Sequence, residues 1–268
     1  MKKFFQLFFC LSALLPVQAQ IPDTEDQEVF AAQVSLVDEF VHRFNGEEYH
    51  PLVQKDSVGA RRKNLLFLLD LARYKSRNDT AFFRAEKFVD KVLADSVVLH
   101  YADTAWLATA LCHATLQGKP VDITLRLRVE HRKGHMYKWV ITSAGGDCLS
   151  LASPKAHEPF MLMPDDHETN FMSLCRMASE TAPYITDFAD REARVDALTA
   201  FMTLVRYGLL KIDYVSELQF TFFQVPGYVF TIANTDRNTK NTGWLISEIT
   251  AMPETDKETL YRKMTKGL

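Results

Sequence analysis

The chain has 268 residues, 47% of them hydrophobic and 24% charged, with a formal net charge of −3. That apolar share can bury a real core, which excludes a disordered chain. The mild acidity excludes general nucleic-acid binding, which needs a concentrated basic surface.

Met1-Lys2-Lys3 leads into an almost wholly apolar run from Phe4 to Leu15, then Pro16-Val17-Gln18-Ala19. A charged start, an apolar stretch and a V-x-A site predict a secretory signal peptide cleaved after Ala19. The run is short for a bilayer span, and no other apolar run approaches the roughly 20 residues a membrane helix needs. The expectation is an exported chain, periplasmic or extracellular, that starts at Gln20. Loss of Lys2 and Lys3 takes its formal charge from −3 to −5. Cys10 sits inside the apolar stretch behind bulky Phe9, which argues against lipidation. Cys112, Cys148 and Cys175 remain. An odd number allows one disulfide at most, which leaves open whether Cys148 and Cys175 pair. The core must hold the protein together.

The elements follow in order. Phe30, Val34, Val37, Phe40, Val41 and Phe44 recur at helical spacing over residues 28–45. Further helices are predicted over 58–74, with its leucines, and over 80–94, behind Asp79 as N-cap. After Asp95 the period changes to 2. A short strand is expected at 97–101, then a meander over 106–116, 121–131 and 135–143. Gln117-Gly118-Lys119-Pro120 suits a type II′ turn. If His131 faces His135, then Val129 faces Tyr137, Leu127 faces Trp139 and Leu125 faces Ile141. This puts apolar residues on one face and mostly polar ones on the other. The apolar face continues through Leu116, Ala114, Cys112, Ala110, Ala108 and Trp106.

Residues 144–166, with Gly145-Gly146 and three prolines, read as a long connection with a short strand at 160–163. Helices are predicted at 167–179 and 190–209. Strands follow at 213–223, 228–234 and 243–251, with a type II turn at Val225-Pro226-Gly227-Tyr228. A helix over 254–263 ends the chain. Both halves run helices, then a three-strand meander. Their last strands are alike, Lys138-Trp139-Val140-Ile141-Thr142 against Gly243-Trp244-Leu245-Ile246-Ser247. The fold class is α+β, with helices packed in a curved antiparallel sheet. The domains are 1–19 (signal peptide), 20–150 and 151–268. Two degenerate tandem repeats compete with one large domain carrying a longer sheet.

Three helices, long antiparallel strands, a small-residue strand, the Gly118-Lys119-Pro120 turn and the closing Trp139 strand resemble the nuclear-transport-factor-2-like superfamily, best over 26–145. The resemblance implies a cone: a bent sheet wrapped around helices, with a cavity at its open end. Members include isomerases, dehydratases and non-catalytic binding modules, so fold alone leaves function open. No residue set here matches a catalytic set of those enzymes.

Candidate site residues gather around the alanine stripe. Ala108, Ala110, Cys112 and Ala114 leave space above the sheet, with Trp106, Tyr137 and Trp139 around it. This is either an apolar ligand pocket or the seat of a closely packed helix. Asp103 is an acid–base group at the pocket mouth or a turn residue that opens a strand. His131 and His135 lack the further ligands a zinc site needs. Asp165-Asp166-His167-Glu168 reads as a helix N-terminus rather than a metal site. Cys112 and His113, adjacent on a strand, point to opposite faces and cannot couple. Arg126, Arg128, Arg132, Lys133 and Lys138 form a basic sheet face. Phe222 and Phe223 are consecutive and point to opposite faces, so either one is exposed as a partner or domain interface or the sheet is buried on both sides. The expectation is a non-catalytic exported binding or interaction protein that holds a small apolar ligand, without cofactor or metal. The alternatives are an enzyme on a small apolar molecule and a structural module that dimerises.

Overall fold

The structure is a computed structural model that describes residues 37–74, 80–133, 136–150, 156, 158, 160, 182–190, 192, 196–237 and 239–266. The expected leader, residues 28–36 of the expected first helix, the expected N-cap Asp79, His135, Cys175, and the residues expected to form a helix over 167–179 with its acidic start lie outside them. So do residues 161–163 of the short strand expected at 160–163.

Helix α1 is described over 37–45, and its apolar positions Val37, Phe40, Val41 and Phe44 are buried at the predicted spacing. Helix α2 spans Ala60–Phe67, shorter than the leucine spacing suggests. Leu68–Asp70 leaves the helix to lie beside a sheet edge. Asp70 N–H donates to Ile246 O at 3.0 Å, and Ile246 N–H donates to Leu68 O at 2.7 Å. Pairing satisfies open-edge groups that would otherwise face outward. Leu68 and Leu69 are buried either way, so spacing alone does not separate the two conformations. Helix α3 spans Thr80–Ala94 and buries Ala85, Phe88, Val89 and Val92. Residues 97–101 form no strand. The Asn45 side chain takes the partner's place, accepting from Leu99 N–H at 2.8 Å and donating to Leu99 O at 3.1 Å.

Strands β1 (Trp106–Leu116), β2 (Lys119–His131) and β3 (Tyr137–Gly145) form the first meander. The β1–β2 turn falls one residue earlier than expected. Leu116 pairs with Lys119, and Gln117 and Gly118 both have positive φ, 49° and 80°. That is the type I′ geometry, whose twist matches a hairpin. In the β2–β3 hairpin His131 pairs with Tyr137, Val129 with Trp139 and Leu127 with Ile141. The register is two residues from the expected one. A shift of two leaves Tyr137, Trp139 and Ile141 on their expected face, because strand alternation has a period of two. Past a bulge, Arg126 pairs with Ser143 and Leu125 with Ala144, a shift of three that exchanges the faces of those two β3 residues.

Helix α4 (Ala197–Arg206) is capped by Asp196, whose carboxylate accepts from Thr199 N–H at 2.8 Å. It closes at Gly208, φ 68°, where Leu209 N–H reaches back to Leu204 O at 2.9 Å. Strands β4 (Leu210–Phe222), β5 (Tyr228–Thr235) and β6 (Gly243–Ala251) make the second meander, and α5 (Glu254–Lys266) follows.

The fold is α+β. One six-stranded antiparallel sheet has the order β3-β2-β1-β4-β5-β6. Pairing of β1 with β4 joins the meanders, and each runs outward from that junction. Register shifts interrupt the β1–β4, β2–β3 and β5–β6 ladders, and such bulges bend and twist strands.

Helices α1–α3 cover the β4–β6 side of one face. Phe44, Phe230, Phe222 and Trp106 make a continuous stack there, with centroid separations of 5.7, 4.9 and 5.3 Å. Each such pair contributes about 0.5–1.5 kcal/mol beyond burial. On the same face α4 lays Phe201 in the core that holds Ala110, Cys112 and Ala114. The opposite face is covered by α5 around Leu107, Phe223 and Val229. Phe222 and Phe223 do point to opposite faces, but both are buried. Of the two alternatives for this pair, the sheet buried on both sides holds, because α5 packs over Phe223.

Candidate functional site

A cleft of about 350 Å³ opens between the described start of α1 and the β2–β3 hairpin. Its walls come from Val37 and Asp38 of α1, Tyr101 in the turn before β1, Trp106, Val129, Phe220, and Tyr137-Lys138-Trp139 at the start of β3. Sheet register assembles the floor. Trp139 pairs with Val129, and Trp106 with Phe222. Leu107 pairs with Arg128, so Trp106 lies next to Val129.

Trp106 is held from several sides. Its indole N–H donates to Tyr101 O at 3.2 Å. Its ring stacks on Phe222 at 14° and meets Trp139 edge-on, 4.7 Å between centroids and 70° between planes. Tyr101 meets it at 65° and Phe220 at 35°. Trp106 is therefore a fixed wall, 5% exposed, whereas Trp139 and Tyr137 are 38% and 54% exposed. Two exposed aromatics on one strand face leave apolar surface available to a ligand.

Few polar groups reach this cleft. The Tyr101 hydroxyl is buried beside the Asp38 carboxylate, just outside strict hydrogen-bond geometry. Burial, then the neighbouring Asp38 carboxylate, pushes its pKa far above the usual tyrosine range, so it stays protonated. Asp38 is exposed, and among the described residues no basic side chain forms an ion pair with it. Lys138 lies between Tyr137 and Trp139 on β3, so strand alternation carries its side chain to the other face.

The sequence candidates divide between two places. Trp106, Tyr137 and Trp139 line the cleft. Ala110 and Cys112, 7% and 1% exposed, lie in the core beneath α4. Asp103 is in a turn, where its carboxylate accepts from Ala105 N–H at 2.8 Å. Burial raises the pKa of the Cys112 and Cys148 thiols. His113 points away from Cys112, pairs with Asp122 at 2.5 Å and meets the Tyr214 ring at a tilt of 44°. His131 hydrogen-bonds Ala102 O, tying the hairpin tip to the turn that carries Tyr101. Arg132 pairs with Glu130 at 3.4 Å, and Arg126 and Arg128 are half-buried. Among the described residues no cluster of three His, Cys, Asp or Glu side chains is placed to hold a metal.

Asp38, Val129 and Phe220 did not stand out in the sequence. Asp38 is one polar residue on an amphipathic helix, and Phe220 one aromatic in a strand rich in them. Pairing of β1 with β2 and with β4 brings Val129 and Phe220 together, and α1 adds Asp38.

Two other cavities have a different character. One of about 430 Å³ lies between α5 and the end of β4, and its buried Lys257 is spent on Val225 O at 2.9 Å and Glu254 at 3.1 Å. Another of about 290 Å³ is lined by Arg73, Arg84, Glu248, Ser247 and Thr250, with Tyr74 as its one aromatic ring among the described residues. No family model matches the chain, and neither curated proteins nor solved structures give a match.

Proposed function

We propose that this is an exported, non-catalytic binding protein that holds a small, largely apolar molecule in the cleft between α1 and the β2–β3 hairpin. The observation that carries this is the lining: five aromatic rings (Tyr101, Trp106, Tyr137, Trp139, Phe220) with one carboxylate and one outward lysine, around about 350 Å³. Cavities of that size and apolar character suit small ligands. Export rests on the leader over residues 1–19. A cone of the nuclear-transport-factor-2-like kind, built from two related halves, belongs to the same proposal. The outward-running meanders and the ladder bulges support it.

The test uses N-phenyl-1-naphthylamine, a neutral apolar fluorophore. We expect saturable one-to-one binding to the wild type, weakened at least tenfold by Trp139→Ala. Tyr207→Ala, at a 72% exposed position at the C-terminal end of α4 and outside the cleft lining, leaves binding unchanged. Absence of saturable binding, or equal binding to Trp139→Ala, overturns the proposal.

A further inference from the structure

The cleft has a sign as well as a shape. Its rings stand at steep angles: Trp106 to Trp139 at 70°, Tyr101 to Trp106 at 65°, and Trp139 to Phe220 at 46°. These are the walls of a box rather than a flat platform. A ring face carries the negative part of the aromatic quadrupole and attracts cations, most strongly when the ring is Trp.

The formal charges agree. Asp38 puts a carboxylate at the rim, and no described basic side chain forms an ion pair with it. Its neighbour on the helix, Glu39, is paired with Arg43 at 3.5 Å. Tyr101 stays protonated and adds no charge. The single lysine of the lining projects to the opposite face of β3. A neutral apolar ligand would satisfy the rings but leave Asp38 facing an apolar surface. An anion would meet both the ring faces and the carboxylate as repulsion.

Resting on the reading that this cleft is a binding site, we propose that its ligand is an organic ammonium ion, with N-alkyl groups among Trp106, Trp139 and Tyr137 and its charge facing Asp38. The proposal names a chemical class: a quaternary or alkylated amine small enough for the cleft.

Choline and 3,3-dimethyl-1-butanol test it. They have the same shape and differ only in the positive nitrogen. Displacement of bound N-phenyl-1-naphthylamine is the readout. We expect choline to displace the fluorophore at concentrations at least tenfold lower than the neutral alcohol. Asp38→Asn, a change at an exposed helix position, reduces that advantage at least fivefold when each displacement is referred to the variant's own fluorophore affinity. If the fluorophore binds but the two compounds displace it alike, or choline fails to displace it, the ammonium assignment is overturned and the apolar cleft stands. An unchanged choline preference in Asp38→Asn also overturns it. If the fluorophore itself does not bind, both proposals fall together.

Discussion

Asn64 offers the sharpest test of how the helical layer is held. It is fully buried on α2. Its side-chain carbonyl accepts from His50 N–H at 2.9 Å, and its amide donates to Arg43 O at 2.6 Å and Glu48 O at 2.8 Å. One side chain thus fastens α2 to the end of α1 and the loop behind it. In Asn64→Ala the three acceptor and donor groups fare differently. Arg43 O keeps a second partner, Gly46 N–H at 3.2 Å, and Glu48 lies at the surface, where water reaches it. The buried His50 N–H has no substitute, which costs about 1–3 kcal/mol. The void from three lost atoms adds about 1 kcal/mol, for a total of about 2–4 kcal/mol.

Asn64→Asp keeps the shape and changes the chemistry. An oxygen then faces two carbonyl oxygens, and the acid is tolerated only while protonated and donating to one of them. Its folded-state pKa is raised above the unfolded value of about 3.9. The cost therefore grows as pH rises above that value, by no more than about 1.4 kcal/mol per pH unit. Urea unfolding followed by tryptophan fluorescence at pH 5 and pH 8 measures both variants. Asn64→Ala loses the same stability at each pH, while Asn64→Asp loses more at pH 8. A loss below about 1 kcal/mol for the alanine, or no pH dependence for the aspartate, refutes the account.

Asp70 gives a complementary pH signature. It is 1% exposed, and Arg237 grips both its oxygens at 2.5 and 3.0 Å. Arg237 holds its carboxyl below the usual range, against the opposing effect of burial. The pair's contribution is complete above the unfolded pKa of about 3.9 and lost as pH falls through the lower folded value. Asp70→Asn should accordingly be least stable relative to wild type near pH 6, with the gap closing toward pH 2; a constant gap in acid unfolding curves contradicts this. Phe201 is 4% exposed above the small-residue strip of β1, and Phe201→Ala is expected to cost about 3–5 kcal/mol. A urea-derived loss under about 1.5 kcal/mol would mean that α4 is not what fills that space.

Several elements were legible because they depend on nearest neighbours in the chain. The apolar face of α1, the whole of α3, the strand β1 to the residue, and the split of Phe222 and Phe223 between faces all follow from period and alternation. The facing of the β2–β3 hairpin was legible from Tyr137 to Ile141 even though its register was displaced by two, since parity survives such a shift, and was lost at Ser143 and Ala144, where a bulge adds one more residue. Helix α2 was overextended because Leu68 and Leu69 are buried both in a helix and beside β6. The 97–101 segment looked like a strand, but Asn45 supplies its hydrogen bonds from 54 residues away.

The candidate site divides the same way. Alternation placed Tyr137 and Trp139 together on one face of β3, and Trp106 at the head of the small-residue strand. It also left two options for the space above that strand, and helix packing decided between them by position. Phe201 fills the space over Ala110, Cys112 and Ala114, while the end at Trp106 stays open beneath α1. Asp103 and Asp38 are both single carboxylates beside apolar residues in the sequence. One is consumed by its own turn, and the other stands at the cleft because α1 crosses the hairpin there. Periodicity in the chain determined which faces are apolar. Which of those faces is covered, and by what, is a relation between residues far apart in sequence, and only tertiary packing decided it.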